Sequence, residues 1–138
     1  MVTNEYPNWL VPLDAAKKLK DLGFNKSCIF SYSEGFGITA CLRIGASNEP
    51  LISDFIIGGN TPNSPFTDLP TWEQVFEWFR ERGYYGNLKA TNKGTSAYIF
   101  YSELDNGEFW EFAYEETYEK ARELLLLKLI DIYKTANQ

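Results

Sequence analysis

Apolar residues recur at helical spacing through the last quarter of the chain, from Tyr114 to Tyr133. Stepping about 100° per residue from Tyr118, Ala121, Leu125, Leu129 and Ile132 share one arc, and Leu126, Ile130 and Tyr133 lie beside it. Leu124 and Leu127 fall on the far side, so one turn is apolar all round. Such a turn belongs to a helix packed on several sides. The pattern predicts one helix over 114–133, with the other elements arranged around it. Leu124 and Leu127 either complete that core or face a partner, a second copy of the chain being one. Lys128 and Asp131 interrupt an apolar run much shorter than the ~20 residues a bilayer requires, so no membrane span is expected.

A first helix is predicted over Pro12–Leu22. Proline suits the first helical position and Asp14 the positive end of the dipole. Ala15, Ala16, Leu19 and Leu22 give its apolar side, Lys17, Lys18 and Lys20 its wet side. Gly23 is placed to end it in a left-handed conformation. Cys28–Tyr32 reads as a strand and Ser33-Glu34-Gly35 as a turn. Phe36–Ile44 reads as one long strand, because Phe36, Ile38, Ala40, Leu42 and Ile44 alternate with Gly37, Thr39, Cys41 and Arg43. Leu51–Ile57 is a third candidate strand. Gly58–Asp68, rich in Gly, Asn, Thr, Ser and Pro, reads as a long mobile loop.

The second helix carries the strongest signals. Thr71 and Gln74 have the spacing of a capping box. Trp72, Val75, Phe76 and Phe79 form its apolar face, with Trp78 at the edge, and Gly83 stops it. Leu88–Thr91 is expected to be a short strand, turning at Asn92-Lys93-Gly94 into a strong one over Ser96–Leu104. Asn106-Gly107 is a two-residue hairpin signal that sets Leu104 against Phe109, Glu103 against Trp110 and Tyr101 against Phe112. One face then carries Ile99, Tyr101, Trp110, Phe112 and Tyr114; the other carries Tyr98, Phe100, Leu104, Phe109 and Ala113. Both faces are apolar, so both require cover. Helices serve one. The other needs the remaining elements, a partner or partial exposure. The expected fold is α+β in a single domain over 1–138, with antiparallel sheets built from hairpins packed against three helices and the long C-terminal helix central.

Composition narrows the chemistry. Aromatic residues make up 17% of the 138, which excludes a disordered chain. The net charge is −6, and it is concentrated. Eight acids (Glu103, Asp105, Glu108, Glu111, Glu115, Glu116, Glu119 and Glu123) stand against Lys120 and Arg122, so segment 103–123 alone carries the charge of the whole chain. Such a protein repels phosphate backbones, which argues against direct nucleic-acid binding. There is no histidine, which removes Ser-His-Asp and Cys-His nucleophiles, imidazole acid–base catalysis and His-ligated zinc. Two cysteines, Cys28 and Cys41, are too few for a four-thiolate zinc site. Gly35-Phe36-Gly37 and Gly58-Gly59 lack the residues that complete a dinucleotide or phosphate loop. Glu103 and Glu111 lie on opposite faces in the predicted register. Glu115, Glu116, Glu119 and Glu123 surround the start of the predicted last helix, where the dipole favours negative charge. Neither an enzyme nor a cofactor is expected. Met1–Leu10 lacks a basic region followed by an apolar run, so a cytoplasmic protein with reduced thiols is expected.

Three stretches carry a resemblance: Ala15 through Lys20-Asp21-Leu22-Gly23-Phe24 to Cys28; Leu69-Pro70-Thr71-Trp72-Glu73-Gln74-Val75-Phe76-Glu77-Trp78-Phe79-Arg80; and Tyr114-Glu115-Glu116-Thr117-Tyr118-Glu119-Lys120-Ala121. The chain resembles a group of short, uncharacterised phage- and prophage-type proteins of gut Bacteroidales bacteria. Their pattern is a helix ending in Lys-x-x-Gly-Phe with a nearby Cys, an aromatic strand, a Pro-Thr-capped helix containing Trp and Arg, a Tyr-rich hairpin and a C-terminal helix. Residues 33–66 are longer and more Gly-rich than that pattern. The resemblance implies the fold and carries no activity.

Together these features lead to a non-enzymatic accessory protein of mobile-element origin that binds another protein or a second copy of itself. The expected surface comprises Trp110, Glu103, Asp105, Glu108, Glu111, Glu115, Glu119, Leu124 and Leu127. One alternative is an acidic DNA mimic that inhibits a nucleic-acid-binding protein. Another is a small-ligand domain with an aromatic pocket of Trp78, Tyr84, Tyr85 and Tyr98.

Overall fold

A computed structural model describes residues 6–26, 28–35, 37–40, 42–44, 50–52, 65–102 and 108–137. Among these, three helices and eight strands follow the order α1 (Leu13–Asp21), β1 (Phe30–Ser33), β2 (Gly37–Ala40), β3 (Leu42–Ile44), β4 (Pro50–Ile52), β5 (Thr67–Leu69), α2 (Trp72–Arg80), β6 (Tyr84–Ala90), β7 (Thr95–Tyr101), β8 (Trp110–Glu115) and α3 (Tyr118–Ala136). All strand pairings are antiparallel, so the fold is α+β as expected. The chain divides into two compact units, Met1–Val75 and Phe76–Gln138, and the division falls inside α2.

In the first unit, Pro12 caps α1 rather than starting it. The helix ends as its sequence dictates: Gly23 takes φ 90°, and the Phe24 N–H donates back to the Leu19 carbonyl at 3.0 Å, a Schellman closure. The sheet order is β2-β1-β5. Leu10, Ala16 and Leu69 form a buried cluster with Leu13, Phe30 and Tyr32 against it. The incoming segment is tied to the start of α2 by Val11 N–H to the Pro70 carbonyl (2.9 Å) and Trp72 Nε1–H to the Asn8 carbonyl (2.9 Å). The capping box is present: the Thr71 N–H donates to Gln74 Oε1 at 2.9 Å, and the Gln74 N–H to Thr71 Oγ1 at 3.2 Å.

Two expectations change here. The alternation over Phe36–Ile44 is divided between β2, which pairs with β1, and β3, which pairs with β4, because its two halves find different partners. Asp68 lies in β5, opposite Ser31 of β1, rather than in a loop. The expectations for Phe36, Cys41, the rest of Leu51–Ile57 and residues 58–64 lie outside the described residues.

In the second unit, β6-β7-β8 form a meander and α3 packs across all three strands. Gly86 permits the approach: a Cβ there would stand 2.9 Å from Leu125 Cδ2. Ala121, Leu125, Leu126, Leu129 and Ile130 are buried, whereas Leu124 and Leu127 are half-buried. Burying each leucine contributes roughly 1.5–3 kcal/mol. The helix starts later than its period predicts, because Tyr114 and Glu115 belong to β8 and Thr117 is the cap, its Oγ1 accepting from the Lys120 N–H at 3.1 Å. Tyr118 is therefore exposed instead of heading the buried stripe. β6 is also longer than predicted, with Tyr84 and Tyr85 inside it. Trp78 is fully buried rather than peripheral: it meets Phe79 and Tyr133 edge-on at 5.1 and 5.2 Å, and the Arg82 guanidinium lies 3.8 Å from its ring centroid.

Candidate functional site

Paired residues on neighbouring strands share a face of the sheet, and residues along a strand alternate between faces. Tyr84 with Tyr101, Gly86 with Ile99 and Leu88 with Ala97 therefore define the inner face, under α3. The outer face consists of three rows. Tyr85 stands opposite Phe100, with ring centroids 6.1 Å apart, and Phe109 extends that row at 5.7 Å from Phe100. Asn87, Tyr98 and Glu111 form the second row; Lys89, Ser96 and Tyr114 form the third. Tyr85 is 40% exposed, Phe109 48% and Tyr114 53%, so these rings stand half in water although they lie on a sheet. The Glu111 side chain forms no ion pair or hydrogen bond among the described residues.

A register shift between Ala97 and Tyr98 shapes this face. It leaves Phe112 opposite no residue of β7, puts Ala113 on the inner face and brings Tyr114 to the outer one, as a β-bulge does. The predicted hairpin register is corrected accordingly: Ile99 faces Trp110 and Tyr98 faces Glu111, and Asn106-Gly107 lies outside the described residues. Gly94 makes room for Tyr114, since a Cβ at that position would lie 2.5 Å from Tyr114 Oη and 2.7 Å from the Glu115 carbonyl oxygen.

The residues singled out from sequence do not form one surface. Glu111 is on the outer face. Trp110 is on the inner side at the β8 edge, 44% exposed, with Lys128 Nζ 5.2 Å from its ring centroid. Glu108 and Glu119 are exposed and Glu115 is half-buried; Glu103 and Asp105 lie outside the described residues. The aromatic pocket set is divided as well. Tyr84 faces inward, 5.6 Å from Tyr133, whereas Tyr85 and Tyr98 face outward. Phe100, Phe109 and Tyr114 were absent from both sets. The alternation of Tyr98 and Phe100 was a usable signal for the first two; the bulge that exposes Tyr114 leaves none.

Two further features of the first unit bear on chemistry. A cleft of about 280 Å3 is lined by Trp9, Leu10, Ile29, Phe30, Leu69, Thr71 and Gln74. No titratable side chain lines it. Asp68 is buried, and burial raises its pKa to about 7 against the opposing pull of Lys20. Cys28 is also fully buried, and burial together with the Asp68 charge pushes its thiol well up, away from the reactive thiolate. By strand alternation Asp68 points to the side of β5 opposite Leu69, so it does not meet the cleft. Among the described residues no group of three His, Cys, Asp or Glu is placed to hold a metal ion, and no helix is long and apolar enough to cross a membrane.

Compared with protein-family models, curated proteins and solved structures, the chain matches none.

Proposed function

We propose that this protein is a non-enzymatic, protein-binding accessory module of phage-like, mobile-element origin, and that it docks through the outer face of β6-β7-β8. The observation that carries this reading is the set of five aromatic side chains, Tyr85, Tyr98, Phe100, Phe109 and Tyr114, on the face of the sheet turned away from α3. Tyrosine, which three of the five are, is enriched among the few residues that carry most of the energy at protein interfaces. A large exposed apolar patch marks an interaction site more often than it marks neutral surface. The mobile-element origin rests on the sequence resemblance. The acidic segment also suits mimicry of DNA, but rings rather than carboxylates fill the middle of this face, which favours docking.

The test is capture from nuclease-treated host lysate by the tagged full chain and by its Tyr85→Ser/Tyr114→Ser variant. A stoichiometric partner held by the parent and lost by the variant, with melting unchanged, is expected. Aromatic docking should survive raised salt, whereas phosphate mimicry fails steeply. Equal capture by both proteins rejects this surface, and capture that depends on Trp110 instead moves it to the β8 edge.

A further inference from the structure

We infer that the outer face of β6-β7-β8 docks on the same face of a second copy of this chain, the two related by a two-fold axis running along β7. This inference rests on the docking reading and names the partner in it.

It starts from the charges of the face. Among the described residues, Lys89 and Glu111 are the one base and the one acid that the strand pairings place there, and both are exposed. They cancel, so two copies of the face approach each other without net repulsion. They also stand on opposite edge strands, Lys89 on β6 and Glu111 on β8, and that placement selects the symmetry. Stacked sheets keep their strands within about 30° of each other. A two-fold axis in the plane of the interface therefore runs either along the strands or across them. Across them, through the middle row, it sets Glu111 against the second copy's Glu111, a like-charge contact that opposes association.

Along β7 the outcome is different. The axis exchanges β6 with β8 and keeps each row in place. Tyr85 then falls on Phe109 and Phe100 on its own equivalent, which are ring pairs. The Asn87 amide falls on the Glu111 carboxylate, a charge-assisted hydrogen bond. The Lys89 ammonium falls on the Tyr114 ring, a cation–π contact. Lys89 also lies one row, roughly 7 Å along the strand, from the second copy's Glu111, within reach of its four-carbon stem. A 30° twist between the sheets moves the end rows by only about 3–4 Å, less than the ~4.8 Å between strands, so these pairs persist.

Size sets the strength. Three strands and three rows cover roughly 14 by 20 Å, well below the ~800 Å2 per partner of a standard stable interface. The dimer is therefore reversible and concentration-dependent, and the dilute chain presents the face open.

The experiment is sedimentation equilibrium of the full chain over a rising concentration series. The parent is expected to pass from monomer to twice that mass and no further, because a two-fold contact closes on itself. Lys89→Glu and Glu111→Lys, each melting with the parent, should weaken the dimer at least about tenfold. Lys89→Glu/Glu111→Lys should restore most of it, since the exchange again leaves a base and an acid on facing edges. Glu119→Lys, in α3, should leave the dimer unchanged. A parent that stays monomeric up to about 1 mM overturns the inference, and so does a dimer indifferent to both single exchanges. The docking reading is judged separately by lysate capture. A monomeric parent that holds a different protein through Tyr85 and Tyr114 overturns the second copy and leaves docking standing. A monomeric parent that captures no more than Tyr85→Ser/Tyr114→Ser ends both.

Discussion

Each unit sets a helix against a three-stranded antiparallel sheet, yet the two sheets differ in what they bury. In β2-β1-β5, Ser31, Ser33, Thr67 and Asp68 are all buried. In β6-β7-β8, Ala97 and Ile99 are fully buried on the side facing α3, and Thr95 is the one buried polar strand residue among those described. A buried carboxyl ties stability to its protonation state, whereas apolar packing does not titrate. In the second sheet the stabilising work is concentrated on one face, and that leaves the aromatic outer face available for another task.

The largest effect should come from the apolar side. Leu129→Ala, at a fully buried position of α3, is expected to cost about 2–5 kcal/mol, read from the denaturation midpoint, with the loss nearly independent of pH. A smaller loss would mean that α3 contributes less than its burial indicates.

Asp68→Asn tests the other sheet. The folded state holds the Asp68 pKa at about 7 through burial, above the unfolded value of roughly 3.9. Its stabilising contribution is therefore complete below about pH 4 and is lost as pH rises through 7. Between about pH 4 and about pH 8 the parent should lose on the order of 1–3 kcal/mol more than the Asn variant. Parallel pH profiles would contradict the assignment.

Smaller again is Thr71→Ala, which removes the hydroxyl that accepts the Gln74 N–H and should lower stability by about 1 kcal/mol. Smallest is Tyr85→Ser/Tyr114→Ser, expected to change stability by no more than about 0.5 kcal/mol while abolishing capture. A large drop in melting temperature there would show that the outer face is structural.

The features legible in the sequence were those written in local chemistry. The Thr71–Gln74 box and the left-handed glycines at positions 23 and 83 fixed the ends of α1 and α2, and each acts within a few residues. What stayed hidden depends on pairing between distant segments. Asp68 resembles a loop residue until Ser31 is set opposite it. Tyr114 continues the helical spacing of Tyr118, Ala121 and Leu125, and only its pairing with Ser96 makes it a strand residue. Asn106-Gly107 is a sound local turn signal, but the register of Ile99 on Trp110 and the bulge beyond it override the pairing it implies. The aromatic face was half visible: Tyr98, Phe100 and Phe109 fell on one side by alternation, and the bulge added Tyr114.

The most direct test of the docking face is oxidative footprinting of the full chain, free and bound to its captured partner, read by mass spectrometry. Tyr85, Phe109 and Tyr114 should become protected on binding. Tyr118, 42% exposed at the start of α3, is the internal control and should react equally in both states. Protection of Tyr118 or Trp9 with Tyr85 and Tyr114 still reactive would place the partner elsewhere and contradict the account.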